Sequence, residues 1–185
     1  DLPSDTIADA DVSFERDFSD DIDLMDTASD TDGPETRCPP ILLSEEYVGN
    51  LTISSEEDLA EFAETTIVAG NLTIRGDVPV LLDLSRLQFV TGRLQIRDTS
   101  DLEAVNLCGL SGVGSLDVHD NDSLHALRFD ALRGTTSELL VQSNPELTSL
   151  ELSGITSVID SLTLYSNPSL REIAFERLLR IGHDL

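Results

Sequence analysis

Gly92-Arg93-Leu94-Gln95-Ile96 and Gly114-Ser115-Leu116-Asp117-Val118 decide the fold of this 185-residue chain. In each, a small residue opens a run with apolar side chains at every second position, the period of an extended strand. The same pattern stands at Gly49-Asn50-Leu51-Thr52-Ile53, Gly70-Asn71-Leu72-Thr73-Ile74, Ser137-Glu138-Leu139-Leu140-Val141 and Asp160-Ser161-Leu162-Thr163-Leu164. It returns every 22 or 23 residues, and His183-Asp184-Leu185 begins it once more. A fixed period of this length is one supersecondary unit per repeat, so the chain is read as a solenoid. The expected fold is mainly β: a short β-helix of about six coils with an N-terminal capping helix.

Working outward from the strand, the remaining apolar residues fall into columns. Six residues after the last strand residue come Leu59, Val80, Leu102, Leu124, Leu147 and Leu170. A second strand follows, as in Leu124-Leu127-Phe129 and Leu147-Leu150-Leu152. Three residues further sit Leu87, Leu110, Leu132, Ile155 and Leu178, and a last position (Val68, Val90, Val113, Val158, Ile181) precedes the next repeat. Fully burying a Leu or Val contributes about 1.5–3 kcal/mol. One coil cannot offset its ordering entropy, whereas several stacked coils can.

The turn after the first strand reads Asp120-Asn121-Asp122, Ser143-Asn144-Pro145 and Ser166-Asn167-Pro168. Asn tolerates left-handed backbone and bonds nearby backbone groups, so stacked Asn residues are expected to satisfy each corner. Arg75-Gly76-Asp77-Val78-Pro79 is one residue shorter and lacks Asn, which predicts a distorted corner. In the first repeat, Ser54-Ser55-Glu56-Glu57-Asp58-Leu59-Ala60-Glu61-Phe62-Ala63-Glu64 has a Ser cap, acids in the first turn and apolar spacing of three and four. That predicts a short amphipathic helix. Terminal repeats must cover the end of a solenoid core, so this helix, with Pro39-Pro40-Ile41-Leu42-Leu43, is read as the N-terminal cap.

Composition separates the ends of the chain. Residues 1–34 hold 12 Asp/Glu against the single Arg16, too much charge and too little apolar surface for a core. Residues 1–37 are therefore expected to be a disordered acidic tether and residues 38–185 the β-helix. Leu185 falls where Leu162 falls one repeat earlier, so the repeat is expected to be cut short at its C-terminal end. The net charge of −25 argues against nucleic acid and anionic membrane as partners. All 11 basic residues are Arg, as a GC-rich genome or a salt-adapted proteome produces. No apolar run reaches the ~20 residues that cross a bilayer, so this segment is not expected to insert in a membrane.

Cys38-Pro39-Pro40, Gly-Asn-Leu-Thr-Ile, the Glu57-Asp58-Leu59-Ala60-Glu61-Phe62 helix and the Asn-Pro-x-Leu-x-x-Leu repeats together resemble the receptor L-domain superfamily. That group includes ligand-binding domains of growth-factor and insulin-type receptors, fungal cell-wall proteins and bacterial surface proteins, often tethered lipoproteins. The resemblance spans residues 38–185. It implies a right-handed β-helix outside the cytoplasm, secreted or attached to the cell envelope, and is compatible with a lipid anchor upstream of Asp1. The Cys-rich modules that separate such domains in animal receptors are absent from the sequence.

In an exported protein the cysteine pair Cys38 and Cys108 suggests a disulfide that staples the cap to the third coil. A buried free thiol at Cys108 is the other reading. No ligand spacing for zinc is present. His119, His125 and His183 stand apart from any Ser or Cys nucleophile pattern, and Gly109-Leu110-Ser111-Gly112 is not a nucleophile elbow because Val113 takes the second Gly position. Asp77, Asp98, Asp101, Asp120, Asp122 and Glu146 gather near the corners, where calcium would find oxygen ligands. The same residues are ordinary turn formers with no repeating metal motif, so no metal or cofactor is assigned. Asn50-Leu51-Thr52, Asn71-Leu72-Thr73 and Asn121-Asp122-Ser123 match glycosylation triplets whose letters the strand and turn already require.

What remains is an outward column: Ser54, Arg75, Arg97, His119, Gln142 and Tyr165, beside Thr52, Thr73, Gln95, Asp117, Leu140 and Thr163. Repeat proteins bind through such extended sheets, and Arg and Tyr are favoured anchors. The sequence is therefore read as a non-catalytic recognition or structural module that binds a protein or glycan through Arg75, Arg97, His119, Gln142 and Tyr165. A carbohydrate-active β-helix enzyme of the polysaccharide-lyase kind, or an envelope component without a ligand, are the alternatives.

Overall fold

A computed structural model describes residues 44–133 and 137–182. The tether, Cys38, the stretch from Pro39 to Leu43, and Leu185 lie outside the described residues.

Six coils are stacked. The first holds β1 (Glu46–Val48), β2 (Leu51–Ile53) and α1 (Glu56–Glu61). The second holds β3 (Ile67–Ala69), β4 (Leu72–Arg75) and β5 (Leu81–Asp83). The third is β6 (Phe89–Thr99) and β7 (Ala104–Asn106), and the fourth is β8 (Gly112–Asn121) and β9 (Ala126–Arg128). The fifth has β10 (Glu138–Gln142) and β11 (Ser149–Glu151). Last come β12 (Ser157–Val158), β13 (Ser161–Tyr165), β14 (Glu172–Ala174) and β15 (Arg180–Ile181).

All strand pairs are parallel, each strand lying on its counterpart one coil away. An eight-stranded sheet runs β1-β3-β6-β8-β10-β13, with β2 and β4 alongside, and a five-stranded sheet runs β14-β11-β9-β7-β5. Leu72, Leu94, Leu116, Leu139 and Leu162 are aligned rung by rung, as are Ile74, Ile96, Val118, Val141 and Leu164. From Leu94 to Val141 these columns are fully buried. The interval between the first two rungs is 21 residues, since Leu51 pairs with Leu72, one fewer than the repeat suggests.

The last apolar column proves to be a third strand. Val68, Val90 and Val113 lie in the eight-stranded sheet, and in β6 and β8 this segment runs on into the main strand. Glycine permits the stacking at the bend. A Cβ on Gly92 would sit 2.3 Å from Asn71 Oδ1 and 2.7 Å from the Gly70 carbonyl oxygen.

The corners keep one geometry. Asp98, Asp120, Ser143 and Ser166 all have φ between 52° and 56°. Gly76, at φ 76°, takes the same place in the second coil, so the expected distortion does not fall on the turn itself. The missing residue is absorbed two positions later: Val78 is buried and Val80, expected in the core, is 45% exposed. Behind the corners, Asn121 and Asn144 are fully buried and form the expected ladder with Asn167. The next turn also repeats, with the amide of Leu87, Leu110 and Ile155 donating to the carbonyl of Leu84, Leu107 and Leu152.

Where the first coil would supply a strand to the second sheet, α1 stands instead. Ser55 caps it by accepting from the Asp58 amide, and Asp58 accepts in turn from the amide and hydroxyl of Ser54, both at 2.8 Å. Leu59 and Phe62 pack on the core edge, and Phe62 meets Tyr47 edge-to-face at 5.1 Å.

Cys108 is disulfide-bonded and 5% exposed, so the free-thiol reading is set aside. Cys38, the other cysteine of the chain, lies outside the described residues.

Candidate functional site

Parallel in-register stacking turns a sequence column into a spatial one. Arg75 pairs with Arg97, Arg97 with His119, His119 with Gln142 and Gln142 with Tyr165. The five expected face residues therefore form one row across β4, β6, β8, β10 and β13. Neighbouring strands lie about 4.8 Å apart, so the row spans about 19 Å. Arg75 and the 52%-exposed Tyr165 stand out at its two ends; Arg97, His119 and Gln142 are partly covered.

The second row is Thr73, Gln95, Asp117, Leu140 and Thr163. Its centre is unlike the rest. Asp117 points out of the sheet yet is only 6% exposed, the one acidic or basic side chain buried among the described residues. Its Oδ2 accepts from Gln95 Nε2 at 2.9 Å and lies 3.4 Å from Arg93 Nη1. Its Oδ1 is buried and has no hydrogen-bond partner; His119 Nε2 is 3.9 Å away. The other ring nitrogen, His119 Nδ1, is 2.8 Å from Asp120 Oδ2. Arg97 donates through Nε to Gln95 Oε1 at 3.0 Å and pairs with Asp98. Arg93 reaches back to Glu138, with Nη2 4.0 Å from Oε2. Among the described residues Arg75 makes no ion pair and no side-chain hydrogen bond.

Asn71, Thr73, Arg93 and Gln95 frame a small polar hollow of about 150 Å³ between β4 and β6. Its floor is set by the sheet: Asn71 Oδ1 accepts from the Arg93 amide at 2.8 Å, which holds the rim of one coil on the next. Arg93 is the face residue that the sequence reading left out. The opposite charges of Arg93 and Asp117, one coil apart, are the signal in the sequence that points to it.

The corner acids separate into two groups. Asp77, Asp98, Asp120 and Asp122 line an open hollow of about 450 Å³ with Gly76, Thr99 and Ser100. Asp101 and Glu146 do not line it. Among the described residues no three or more His, Cys, Asp or Glu side chains are placed to hold a metal ion. His125 is exposed on the far sheet beside β9, away from the face, and His183 lies outside the described residues. An apolar cavity of about 620 Å³ lies under α1, lined by Leu59, Phe62, Val68, Leu72, Leu84 and Leu87 among others, and holds none of the expected face residues. No helix among the described residues is long and apolar enough to cross a membrane.

Comparison of the chain with protein-family models, with curated proteins and with solved structures found no match.

Proposed function

We propose that the chain is an exported recognition module of the receptor-L-domain type, tethered at the cell surface, that binds a glycan or protein on its eight-stranded sheet without catalysing a reaction. The observation that carries this reading is the in-register row from Arg75 to Tyr165 on one sheet. Rigid strands hold Arg, His, Gln and Tyr at fixed spacing, so a ligand pays little ordering entropy on the protein side. The bonded Cys108 supports an oxidising compartment outside the cytoplasm. Binding is favoured over lyase-type chemistry because Asp117 has the Arg93 guanidinium and the His119 imidazole beside it on an open sheet, not a second carboxylate in a cleft.

The test is a glycan and protein array probed with the recombinant chain. Saturable binding that is lost in Arg97→Ala or Tyr165→Ala supports the recognition reading. Silence across both arrays removes it and leaves a structural envelope component.

A further inference from the structure

Four residues mark one corner of the solenoid in successive coils. The Thr66 amide donates to the Glu45 carbonyl, the Gln88 amide to the Thr66 carbonyl, and the Ser111 amide to the Gln88 carbonyl. Counting back four places from each gives a column of Leu107, Leu84 and Phe62, with Ile41 next in the same register. The turn that follows is shared too, since the amides of Leu110, Leu87 and Thr65 donate to the carbonyls of Leu107, Leu84 and Phe62. Burial fades along this column toward its N-terminal end. Leu107 is 1% exposed, whereas Leu84 and Phe62 are only partly buried, and both line the apolar cavity of about 620 Å³ under α1. Apolar walls left to water are unfavourable, so this end of the core lacks an apolar partner.

The second observation is the bonded Cys108. It stands one residue past Leu107 in the third coil, and Cys38 is the other cysteine of the chain. Ser85 takes the same place one coil earlier and lines the cavity; a Cβ on Gly109, next to Cys108, would meet the Ser85 carbonyl oxygen at 2.2 Å. Ser44 is held at the other end of this corner, its hydroxyl 3.2 Å from that of Thr66. The levels of Glu45 and Ser111 are three coil spacings apart, about 14 Å. Six residues separate Cys38 from Ser44. They reach about 20 Å when extended, and a disulfide adds about 5.5 Å between Cα atoms. That is too short to pass round a coil of 22 or 23 residues, so a chain from Cys108 to Ser44 runs along this corner, past Ser85 and Phe62. Its composition suits the path. Pro39 and Pro40 carry no amide hydrogen that would need a partner there, and Ile41-Leu42-Leu43 is apolar.

We propose that residues 39–43 are a strap that closes the N-terminal end of the core, with Ile41 completing the column over Phe62 and filling the cavity under α1, and a Cys38–Cys108 bridge latching the strap in place. In the oxidised chain the cavity is taken by the protein's own segment. With the bridge reduced, apolar contact alone holds the strap, and a cavity of a size that takes small apolar molecules opens.

Nuclear Overhauser spectra of the full oxidised chain with labelled methyl groups test the seat, and contacts between the Ile41 methyls and the Phe62 ring are expected. The apolar dye N-phenylnaphthylamine reports on the cavity. Oxidised wild type is expected to bind it at least about tenfold more weakly than Ile41→Ser, or than wild type after reduction. Ile41→Ser is also expected to lower the melting temperature, and Ile7→Ser, in the acidic segment, to change neither reading. Absence of contacts between Ile41 and Phe62 overturns the proposal. Equal dye binding by oxidised wild type and Ile41→Ser overturns it as well, and if both bind tightly the cavity is a site for an apolar ligand instead. A bridge that joins two copies of the chain on a non-reducing gel likewise removes the latch and the proposal with it.

Discussion

Asn121 donates through Nδ2 to Oδ1 of Asn144 at 2.9 Å, and both side chains are fully buried. The same Asn144 oxygen also accepts from the Asn121 amide, while Asn144 Nδ2 donates to the carbonyls of Val118 and Gln142. One side chain thus satisfies polar groups of two coils, in a corner that water does not reach. Asn144→Ala leaves several of them buried and unpaired. At about 1–3 kcal/mol for each orphaned group, the variant is expected to lose about 3 kcal/mol. Urea unfolding monitored by circular dichroism measures this. A loss below about 1 kcal/mol would mean that the corner readily admits water. Asn167→Ala, in a ladder position that is only partly buried, is expected to cost less.

Gly92 is the tightest coil-to-coil approach along the bend of β6. Alanine there would push its Cβ to 2.3 Å from Asn71 Oδ1 and 2.7 Å from the Gly70 carbonyl oxygen. The backbone oxygen cannot swing away as a flexible side chain does, so two coils must separate locally. Gly92→Ala is expected to cost about 3 kcal/mol, at the upper end of ordinary overpacking. Gly76→Ala also loses stability, but for its left-handed φ and not for want of space, since its nearest neighbour would be Ser54 O at 3.8 Å. Comparing the two by thermal unfolding separates contact from backbone strain.

The solenoid was readable because repeat and alternation together fix which side chains point in. Leu94 and Leu116 are paired rungs for the same reason that they are 22 residues apart. The third strand was harder to read: Phe89-Val90 is a short apolar pair two residues before Gly92, which resembles a break, and its strand character comes from pairing with the segments of Val68 and Val113 in other coils. Val80 was misplaced because a one-residue deletion can be absorbed anywhere between Gly76 and Val80, and only packing selects Val78. The row from Arg75 to Tyr165 followed directly from the repeat. The depth of Asp117 did not. Alternation gives the side of the sheet, while burial depends on Gln95 and Arg93 leaning over it from the neighbouring coil.

The bridge at Cys108 sets a redox dependence. Cys108 follows Leu107 in a buried turn of the third coil, and Cys38 is the other cysteine of the chain. A Cys38–Cys108 bridge closes a loop of about 70 residues, worth about 4 kcal/mol in the chain-entropy model. Adding reductant, or the Cys108→Ser change, is expected to lower the unfolding midpoint by a matching amount. A non-reducing gel distinguishes the alternative: a covalent dimer there would place the bridge between two copies.

Acid should act first on the cap. Hydrogen bonds from the Ser54 amide, then from its hydroxyl, hold the Asp58 carboxyl below its ordinary value of 3.8. A carboxylate whose pKa is depressed by folding contributes stability above its unfolded pKa and loses it as pH falls through the folded one. The Ser54–Asp58 clasp and the start of α1 are therefore intact at neutral pH and open only below about pH 4. Amide hydrogen exchange at Ser54 and Asp58 is expected to speed up across that range, ahead of the buried rungs of β6 and β8. In Asp58→Asn the step should vanish, because the amide oxygen accepts at every pH. A step that persists in this variant would assign the acid sensitivity to one of the glutamates of α1 instead.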